Sequence, residues 1–257
     1  MASSRPAEEM LPHQIVAAAE ESGCAFVPVG PMFEWHSYHL PPGTDALVAE
    51  GVCRLTAERV DGIWFRPLSF GLDAPRSPDQ LRQWGIDPGA EVYGMRFPDV
   101  ALSSEYAERP EMRAAVENRL FALRDSGFQR AFLVNHHGGS GQFETLQSVA
   151  EAACTPDFAV RSVRTYELND LEEWIGVGGH AGLSETTWVL AFRPELVDLS
   201  RQPEGKLRVS RTGILHGEPT IEAEYNPRNA SMAAAAELRQ RVIENFVELV
   251  KRETSRR

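Results

Sequence analysis

The sequence has few cysteines, no excess of basic residues and no long apolar run. Its three cysteines, Cys24, Cys53 and Cys154, are widely spaced, which argues against a disulfide framework or a cysteine zinc site and favours a reducing compartment. Acidic residues outnumber basic ones by 37 to 26, a formal net charge of −11, which argues against nucleic acid as a partner. No run approaches the roughly 20 apolar residues of a membrane span, and residues 1–10 lack the apolar centre of a signal peptide. We therefore expect a cytoplasmic protein with no membrane partner.

Short apolar runs alternate with helical stripes along the 257 residues, of which 42% are hydrophobic. Runs bounded by glycine or proline predict strands at residues 25–29, 62–71, 130–135 and 158–166. Helical spacing predicts helices at residues 13–22, 45–60, 110–126, 143–153 and 231–252. The alternation predicts a single α/β domain with a mainly parallel sheet covered on both faces, a core at about residues 24–250, and flexible tails at residues 1–12 and 253–257.

Three further segments are less regular. Residues 72–109 are rich in proline and glycine and make a connection longer than usual, which in a compact domain favours a functional loop. A short helical piece is predicted at residues 171–174, before a glycine-rich turn at residues 176–179. Residues 208–224 predict irregular strand and turn.

A dense polar cluster follows the first predicted strand. If the chain is extended from Glu34 to His36, their side chains share one face, while Trp35 points to the other face and is expected to pack. Asp45 precedes a helical run and can fold back onto the same centre. Carboxylates and an imidazole in this pattern predict half of a metal site, and His39 is expected to play a structural role beside it.

Two more polar clusters stand where other predicted strands or turns end. The segment NHHGGS, residues 135–140, follows a buried strand and opens a helix, so it is expected at the same sheet edge as the first cluster. The segment HAGLSETT, residues 180–187, places His180 after a glycine turn and Glu185 in the first turn of a helix, with Ser184 as the predicted N-cap. Together the clusters predict one composite site.

These three segments resemble the motifs of the creatininase (creatinine amidohydrolase) family. The family's first motif is roughly PxGSxExHGxHLPxxTD, and residues 27–45, VPVGPMFEWHSYHLPPGTD, follow it with one extra residue. The family's NGHGGN and HAGExETS correspond to NHHGGS and HAGLSETT, and the last continues into a family-like LAFRPELVD at residues 190–198. The resemblance spans roughly residues 24–250 and implies a three-layer αβα domain, a two-metal hydrolytic site and a homo-oligomer, often a hexamer built from dimers.

The resemblance also implies roles for individual residues. The positions that match the family's metal ligands are Glu34, His36, Asp45 and His137, with Asp45 bridging two divalent ions. Glu185 matches a site glutamate that is either a ligand or an acid/base, and His180 matches a histidine suited to proton transfer onto the leaving group. Creatininase places a ligand glutamate where this chain has Gly139, so Glu185 or water is expected to complete the second metal. Ligands without sulfur fit zinc or manganese, with iron(II) also compatible.

Such a constellation predicts hydrolysis. Two ions bridged by Asp45 would lower the pKa of a bridging water and polarise a substrate carbonyl, while His180 or Glu185 protonates the departing atom. The motifs differ from the family pattern at several positions beside the site, and from these and one nearby aromatic residue we predict substrate contacts by Tyr38, His136, Ser140 and Trp174.

The resulting hypothesis is a dinuclear metal-dependent hydrolase that cleaves a C–N bond of a small cyclic amide or a formamide-like substrate through a metal-bridging hydroxide. Within the family, two alternatives stay open: opening of a carbocyclic diketone at a C–C bond, and cleavage of a short modified peptide. From a different class, a non-catalytic metal-binding assembly subunit is the remaining alternative.

Overall fold

The computed structural model describes residues 5–169, 179–215 and 225–255. The strands are β1 (Cys24–Gly30), β2 (Ile63–Trp64), β3 (Leu68–Ser69), β4 (Arg130–Asn135) and β5 (Ala159–Arg164). The helices are α1 (Pro12–Glu21), α2 (Thr44–Arg59), α3 (Pro78–Gln83), α4 (Arg109–Asp125), α5 (Gln142–Ala153), α6 (Leu183–Phe192), α7 (Val209–Thr212) and α8 (Met232–Thr254). Most boundaries lie within one or two residues of the predicted ones.

All strand pairs in the described sheet are parallel, and its order is β2-β1-β4-β5, with β3 also paired to β1. The central strand β1 is buried along its whole length, which explains its continuous apolar sequence. In the β1–β4 register Val29 lies opposite Asn135, so both strands end at the same edge. The first and second polar clusters therefore emerge side by side.

Helices cover both faces of the sheet. Phe26 of β1 and Phe132 of β4 stack at a centroid distance of 5.2 Å, and both rings meet Phe246 of α8 edge-on. This face also contains buried residues of α2 and α6. The alternate residues of β1, such as Val27, face the buried residues of α4 and α5 on the other side. The predicted three-layer αβα domain with a mainly parallel sheet is confirmed.

The single strand predicted at residues 62–71 is wrong in detail. It is two short strands, because β2 pairs with residues 25–26 of β1 and β3 pairs with residues 29–30. Three residues, 65–67, thus oppose two residues of β1, and Pro67 has no N–H to donate to a ladder. The fourth predicted strand is also shorter than expected, since residues 165–168 form a 3-10 turn.

Described residues on both sides of the predicted core, within the segments expected as tails, belong to helical elements. Residues 7–9 form a 3-10 turn in which Ala7 is buried, and Glu8 accepts a hydrogen bond from the backbone N–H of Arg66. Helix α8 continues to Thr254, with the Ser231 hydroxyl as its N-cap. Residues 5–11 and 253–254 are therefore packed or helical.

One other segment differs from expectation, and a second lies largely outside the described residues. Residues 209–212, expected as irregular strand and turn, form the short helix α7. The helical piece predicted at residues 171–174 and the turn at 176–179 lie outside the described residues, apart from Gly179.

The long connection between residues 72 and 109 builds a small apolar cluster of its own. The buried residues of this cluster are Trp35, Leu81, Trp84, Val92, Met95, Phe97 and Val209. Trp35 packs here, as predicted, and its indole N–H donates to the Thr212 carbonyl oxygen at 2.8 Å. The connection is therefore a packed unit that stands beside the carboxyl ends of β1 and β4.

Candidate metal centre

The first cluster supplies three buried ligand candidates. Glu34 and His36 lie in the loop after β1, and Asp45 lies in the first turn of α2. All three side chains are essentially inaccessible to solvent. His36 Nε2 lies 3.7 Å from Glu34 Oε2 and 3.8 Å from Asp45 Oδ2. Asp45 therefore lies beside Glu34 and His36, as predicted.

The second cluster adds His137. Its Nδ1 lies 2.8 Å from Asp45 Oδ2 and 3.4 Å from Glu34 Oε2. Its Nε2 donates to the backbone oxygen of Leu72 at 2.9 Å, and a carbonyl can only accept. The Nδ1 atom is thus the one aimed at the carboxylates, with its orientation fixed from behind.

His36 is oriented in a similar way. Its Nδ1 donates to the backbone oxygen of Glu34 at 3.2 Å, which turns Nε2 toward the carboxylates. His36 Nε2, Glu34 Oε2 and Asp45 Oδ1 are buried, and no hydrogen-bond partner faces them within the described part of the chain. Leaving a buried polar group unsatisfied costs about 1–3 kcal/mol or more. A divalent cation would satisfy all three atoms, so the residues fit a metal site.

The third cluster brings Glu185 to the same centre. Helix α6 begins at Leu183, with Gly182 as its N-cap, so the prediction of Ser184 as N-cap is wrong, although Glu185 does lie in the first turn. Glu185 Oε2 lies 3.8 Å from His36 Nε2 and accepts a 2.6 Å hydrogen bond from the Ala181 backbone N–H. The N–H groups at the helix start therefore hold this carboxylate in place.

Close ligand atoms form three groups of three residues. One group contains Glu34, Asp45 and His137, and another contains His36, Asp45 and Glu185. A third contains Glu34, His36 and His180. Within each group the ligand atoms lie within 4.8 Å of one another. Asp45 belongs to the first two groups, which is the arrangement that a bridging carboxylate requires.

Attraction between the carboxylates and the neighbouring histidines sets the ionisation state of Glu34 and Asp45. Burial alone would raise the pKa of Glu34, but the neighbouring His137 and His36 hold that pKa below its usual value. Burial alone would also raise the pKa of Asp45, but the hydrogen bond from His137 and the attraction of the nearby His36 hold that pKa well below its usual range. Both carboxylates are therefore ionised at neutral pH, as metal ligands must be.

His180 differs from the other histidines of the site. Burial lowers its pKa to about 4, so the ring is neutral at pH 7. Its Nε2 donates to the Trp35 backbone oxygen, and its Nδ1 lies 3.9 Å from Glu185 Oε2. Burial raises the pKa of Glu185 to about 7. The two groups thus lie close together but beyond direct hydrogen-bond distance, and one bridging water would connect them for proton transfer.

Two supporting residues were not predicted. The Tyr106 hydroxyl donates to Glu34 Oε1 at 2.5 Å and accepts from the Met95 backbone N–H at 2.8 Å. Gln142 Oε1 accepts from the Leu72 N–H at 2.9 Å and so holds the residue that orients His137. Tyr106 lies in the 72–109 connection, outside every motif, and the only sequence signal for it was the unusual length of that connection.

The cluster lies on a cavity of about 660 Å³. Part of its lining is acidic and imidazole-rich, and it contains Glu34, Asp45, His137, His180 and Glu185. Another part comes from the 72–109 connection, so the expectation that this connection serves the site agrees with the structure. Tyr166 and Arg164 also line the cavity.

The predicted substrate contacts do not line this cavity in the described part of the chain. Tyr38 is 41% exposed and its ring packs edge-on against Trp35. His136 is buried, with its ring stacked on Tyr166 and its Nδ1 hydrogen-bonded to Thr165 Oγ1 at 2.5 Å. Ser140 is exposed to solvent. Trp174 lies outside the described residues.

The structure gives a physical reason for two of these placements. Ser37 has a φ of 63°, and the turn that it makes directs the Tyr38 side chain away from the ligands. Successive side chains at the end of β4 point to opposite sides, so the His136 ring faces away from the cavity and hydrogen-bonds to the Tyr166 hydroxyl. His39 is in the structural position expected for it. Its Nε2 donates to Thr186 Oγ1 at 2.8 Å, and its Nδ1 accepts from Gln202.

The fold and the site together define the class of protein. An αβα domain that gathers buried carboxylates and imidazoles at the ends of parallel strands has the features of a metal-binding hydrolase. A family model described as Creatininase, creatinine amidohydrolase, matches residues 105–250, which include the second and third motifs. The creatinine amidohydrolase of Pseudomonas putida is 25% identical over 198 residues, covering 68% of this chain and 66% of that protein's length.

Solved structures agree in fold. A mutant creatininase of Zn–Zn type has a TM-score of 0.66 at 20% identity, covering 96% of this chain and 97% of that one. A manganese form of creatininase has a TM-score of 0.67 at 20% identity, with the same coverage. The chain belongs to the creatininase family of amidohydrolases, which confirms the family and the class of enzyme predicted from its motifs.

Proposed function

We propose that this protein is a dinuclear metal-dependent hydrolase that cleaves a C–N bond of a small cyclic amide or a formamide-like substrate. The proposal rests on Asp45, which belongs to two groups of possible metal ligands. One group also contains Glu34 and His137, and the other also contains His36 and Glu185. Buried atoms of three of these residues lack other partners within the described chain. Two ions would satisfy them together.

The ligand set favours zinc or manganese, with iron(II) also compatible, because it combines carboxylate oxygen and imidazole nitrogen without sulfur. The family relatives include a Zn–Zn form and a manganese form of creatininase, and these support the same metals here. When bound, such ions supply a nucleophile from water at neutral pH and polarise a carbonyl.

The chain's own residues then handle the protons. Glu185 Oε2 lies between His36 Nε2 and His180 Nδ1, at 3.8 and 3.9 Å. It is therefore placed to take a proton from the attacking water and pass it to His180. Because His180 Nε2 is committed to the Trp35 carbonyl, its Nδ1 delivers the proton to the departing nitrogen. The C–N bond breaks as that nitrogen gains its proton.

A C–N substrate is favoured by the relative from Pseudomonas putida, which is a creatinine amidohydrolase. The cavity of about 660 Å³ lies within the range of about 300–1,000 Å³ usual for small-molecule sites. Its polar lining would hold a compact, hydrogen-bonding substrate. We propose the homo-oligomer and the cytoplasmic location on the family resemblance and the composition alone. No helix in the described ranges is long and apolar enough to cross a membrane.

Metal content and hydrolysis test the proposal. Purified protein should contain close to two divalent ions per chain by elemental analysis, and Asp45→Ala should lose most of them. Asp157→Ala, at an exposed acidic residue outside the site, is the matched control and should keep the metal. Hydrolysis is measured on creatinine, an N-formyl compound and a cyclic diketone, with and without a chelator. Absence of bound divalent metal, or equal metal in Asp45→Ala, would refute the proposal.

A further inference from the structure

The 72–109 connection provides a polar part of the cavity lining that is separate from the ligand cluster. It contributes Asp73 and Arg76, which precede α3, and Gln80, Gln83 and Trp84, which lie on it or directly after it. None of these residues belongs to a family motif quoted above. This part of the lining is therefore where the chain can select a substrate of its own.

Arg76 is the most constrained cation of this lining. Its Nε donates to the Gly94 backbone oxygen at 3.0 Å, and its Nη2 donates to Asp73 Oδ2 at 2.7 Å. Its side chain is 15% exposed, and its guanidinium carbon lies 5.7 Å from the Trp84 ring centre. Within the described residues no protein acceptor faces Nη1. The guanidinium is thus held in one orientation with donors still available to a ligand.

Arg76 is tied to the ligand cluster through a short path of contacts. Its partner Asp73 follows Leu72, whose backbone oxygen accepts the hydrogen bond from His137 Nε2. Asp73 is itself fixed, because its Oδ1 accepts from the Ala74 N–H at 2.8 Å. Asp73, Arg76 and His137 also line the same cavity, so a ligand that fills this cavity meets both the pair and the cluster.

The other arginine of the lining is differently engaged. Arg164 is half-exposed, its guanidinium lies 3.8 Å from the centre of the Phe143 ring, and its Nε pairs with Glu167 at 3.2 Å. It belongs to the rim of the cavity. Arg76 is the cation that a ligand inside the cavity would meet.

We propose that Arg76 binds a carboxylate of the substrate, so that the substrate is a small amide or formamide that carries a carboxylate group. The assignment rests on the proposed function for the identity of the reacting bond. A guanidinium binds a carboxylate by parallel, charge-assisted hydrogen bonds. A neutral amide in the same place makes weaker hydrogen bonds, because it carries no negative charge. Asp73 positions Arg76 for this contact.

The test compares ligands that differ only in this group. The probes are 5-oxoproline with 5-oxoprolinamide, and N-formylglycine with N-formylglycinamide, titrated into the metal-containing protein by calorimetry. We expect the unmodified protein to bind each carboxylate at least about tenfold more tightly than its amide. Arg76→Gln should abolish this preference, and Arg76→Lys should retain part of it.

Arg82→Gln is the matched control, because Arg82 lies six residues away on helix α3, is 59% exposed and pairs with Asp79 outside the cavity lining. It should keep the full preference. Absence of any preference in the unmodified protein would refute the assignment, as would a preference that survives in Arg76→Gln, since direct binding of carboxylate to metal would explain it. Equal weakening of carboxylate and amide would show that Arg76 is merely structural.

Folding of the variants is checked by thermal unfolding. If Arg76→Gln does not fold, Arg76→Lys, which keeps the charge but loses the planar fork, decides by its reduced preference. Hydrolysis of each probe is followed in parallel, so that the heat of binding is separated from the heat of turnover. Failure of the unmodified protein to bind metal would refute the proposed function alone, and absence of a carboxylate preference in the metal-containing unmodified protein would refute this assignment alone.

Discussion

Single residues set the orientation of each ligand in this site. His36 and His137 each use one ring nitrogen on a backbone oxygen, which leaves the other nitrogen for the centre. Glu34 uses one carboxylate oxygen on Tyr106, and its other oxygen faces His36 and His137. The ligands are therefore arranged before any cation binds, which lowers the free-energy cost of forming the site.

Tyr106→Phe tests this positioning at the scale of one atom. The change removes the hydroxyl that donates to Glu34 Oε1 at 2.5 Å and leaves the ring in place. We expect metal affinity to fall by about tenfold or more, because supporting contacts of this kind typically contribute 10–100-fold. Competition with a coloured chelator measures the affinity.

Tyr93→Phe is the control for that experiment. Tyr93 is in the same connection, and its hydroxyl donates to the Asp73 backbone oxygen at 2.6 Å, so it does not contact a ligand. Its metal affinity should stay close to that of the unmodified protein. Equal affinities in all three proteins would show that Tyr106 does not position Glu34.

At the scale of elements, the turn between β4 and α5 explains why the second motif carries a glycine at position 139. A Cβ at Gly139 would lie 2.0 Å from the Leu72 oxygen and 2.1 Å from His137 Nε2. No side chain fits there without separating those two groups. A glutamate at this position, as in creatininase, would not fit without displacing those groups, and Glu185 of α6 is the carboxylate that lies with His36 and Asp45.

Gly139→Ala should therefore damage the site as well as the fold. The added methyl would push His137 from the Leu72 carbonyl, and we expect at least about 2 kcal/mol lower stability together with weaker metal binding. Chemical denaturation and chelator competition measure the two effects. Both readouts are needed because overpacking alone would lower stability without changing the affinity of the folded protein.

Gly138→Ala provides the comparison within the same turn. A Cβ at Gly138 meets nothing within 4 Å, so its stability should change by less than about 1 kcal/mol. If Gly138→Ala and Gly139→Ala behaved alike, close contact with His137 would not be the reason for glycine at position 139.

The sequence patterns correctly predicted the strands and helices that have one buried face, and they predicted the polar residues that lie within the three motifs. The parallel strands, the long helices and the convergence of Glu34, Asp45 and His137 follow from periodicity and from polar residues at strand ends. The residues that line the rest of the cavity were not predictable in this way. A side chain such as Arg76 is brought to the cavity by a 38-residue connection whose path depends on its own apolar cluster.

The start of α6 shows the same limit on a smaller scale. Ser184 has the residue type of an N-cap, but Gly182 takes that place and Glu185 accepts the Ala181 N–H. The buried carboxylate, held where the cluster needs it, decides where the helix begins. Local preference, worth about 1 kcal/mol at a cap, is outweighed by the requirements of the site.

For the whole molecule, the cluster joins parts of the chain that are far apart in sequence. Its ligands come from the loop after β1, from α2, from the turn after β4 and from α6. Without cations this centre holds ionised Glu34 and Asp45 and several buried atoms without partners. Metal binding should consequently stabilise the entire domain, since it adds contacts that only the folded chain can make.

Removing the metal should lower the temperature of unfolding. A ligand at about 100 times its dissociation constant stabilises the folded state by about 2.7 kcal/mol, which for a chain of this size corresponds to roughly 5 °C or more. Scanning calorimetry with and without a chelator measures the difference. Asp45→Ala should show no response to the chelator, because it removes the residue shared by two ligand groups, whereas Asp157→Ala should respond fully. The same unfolding temperature with and without chelator in the unmodified protein would mean that the cluster is stable on its own, with its histidines protonated against Asp45 and Glu34 in place of metal.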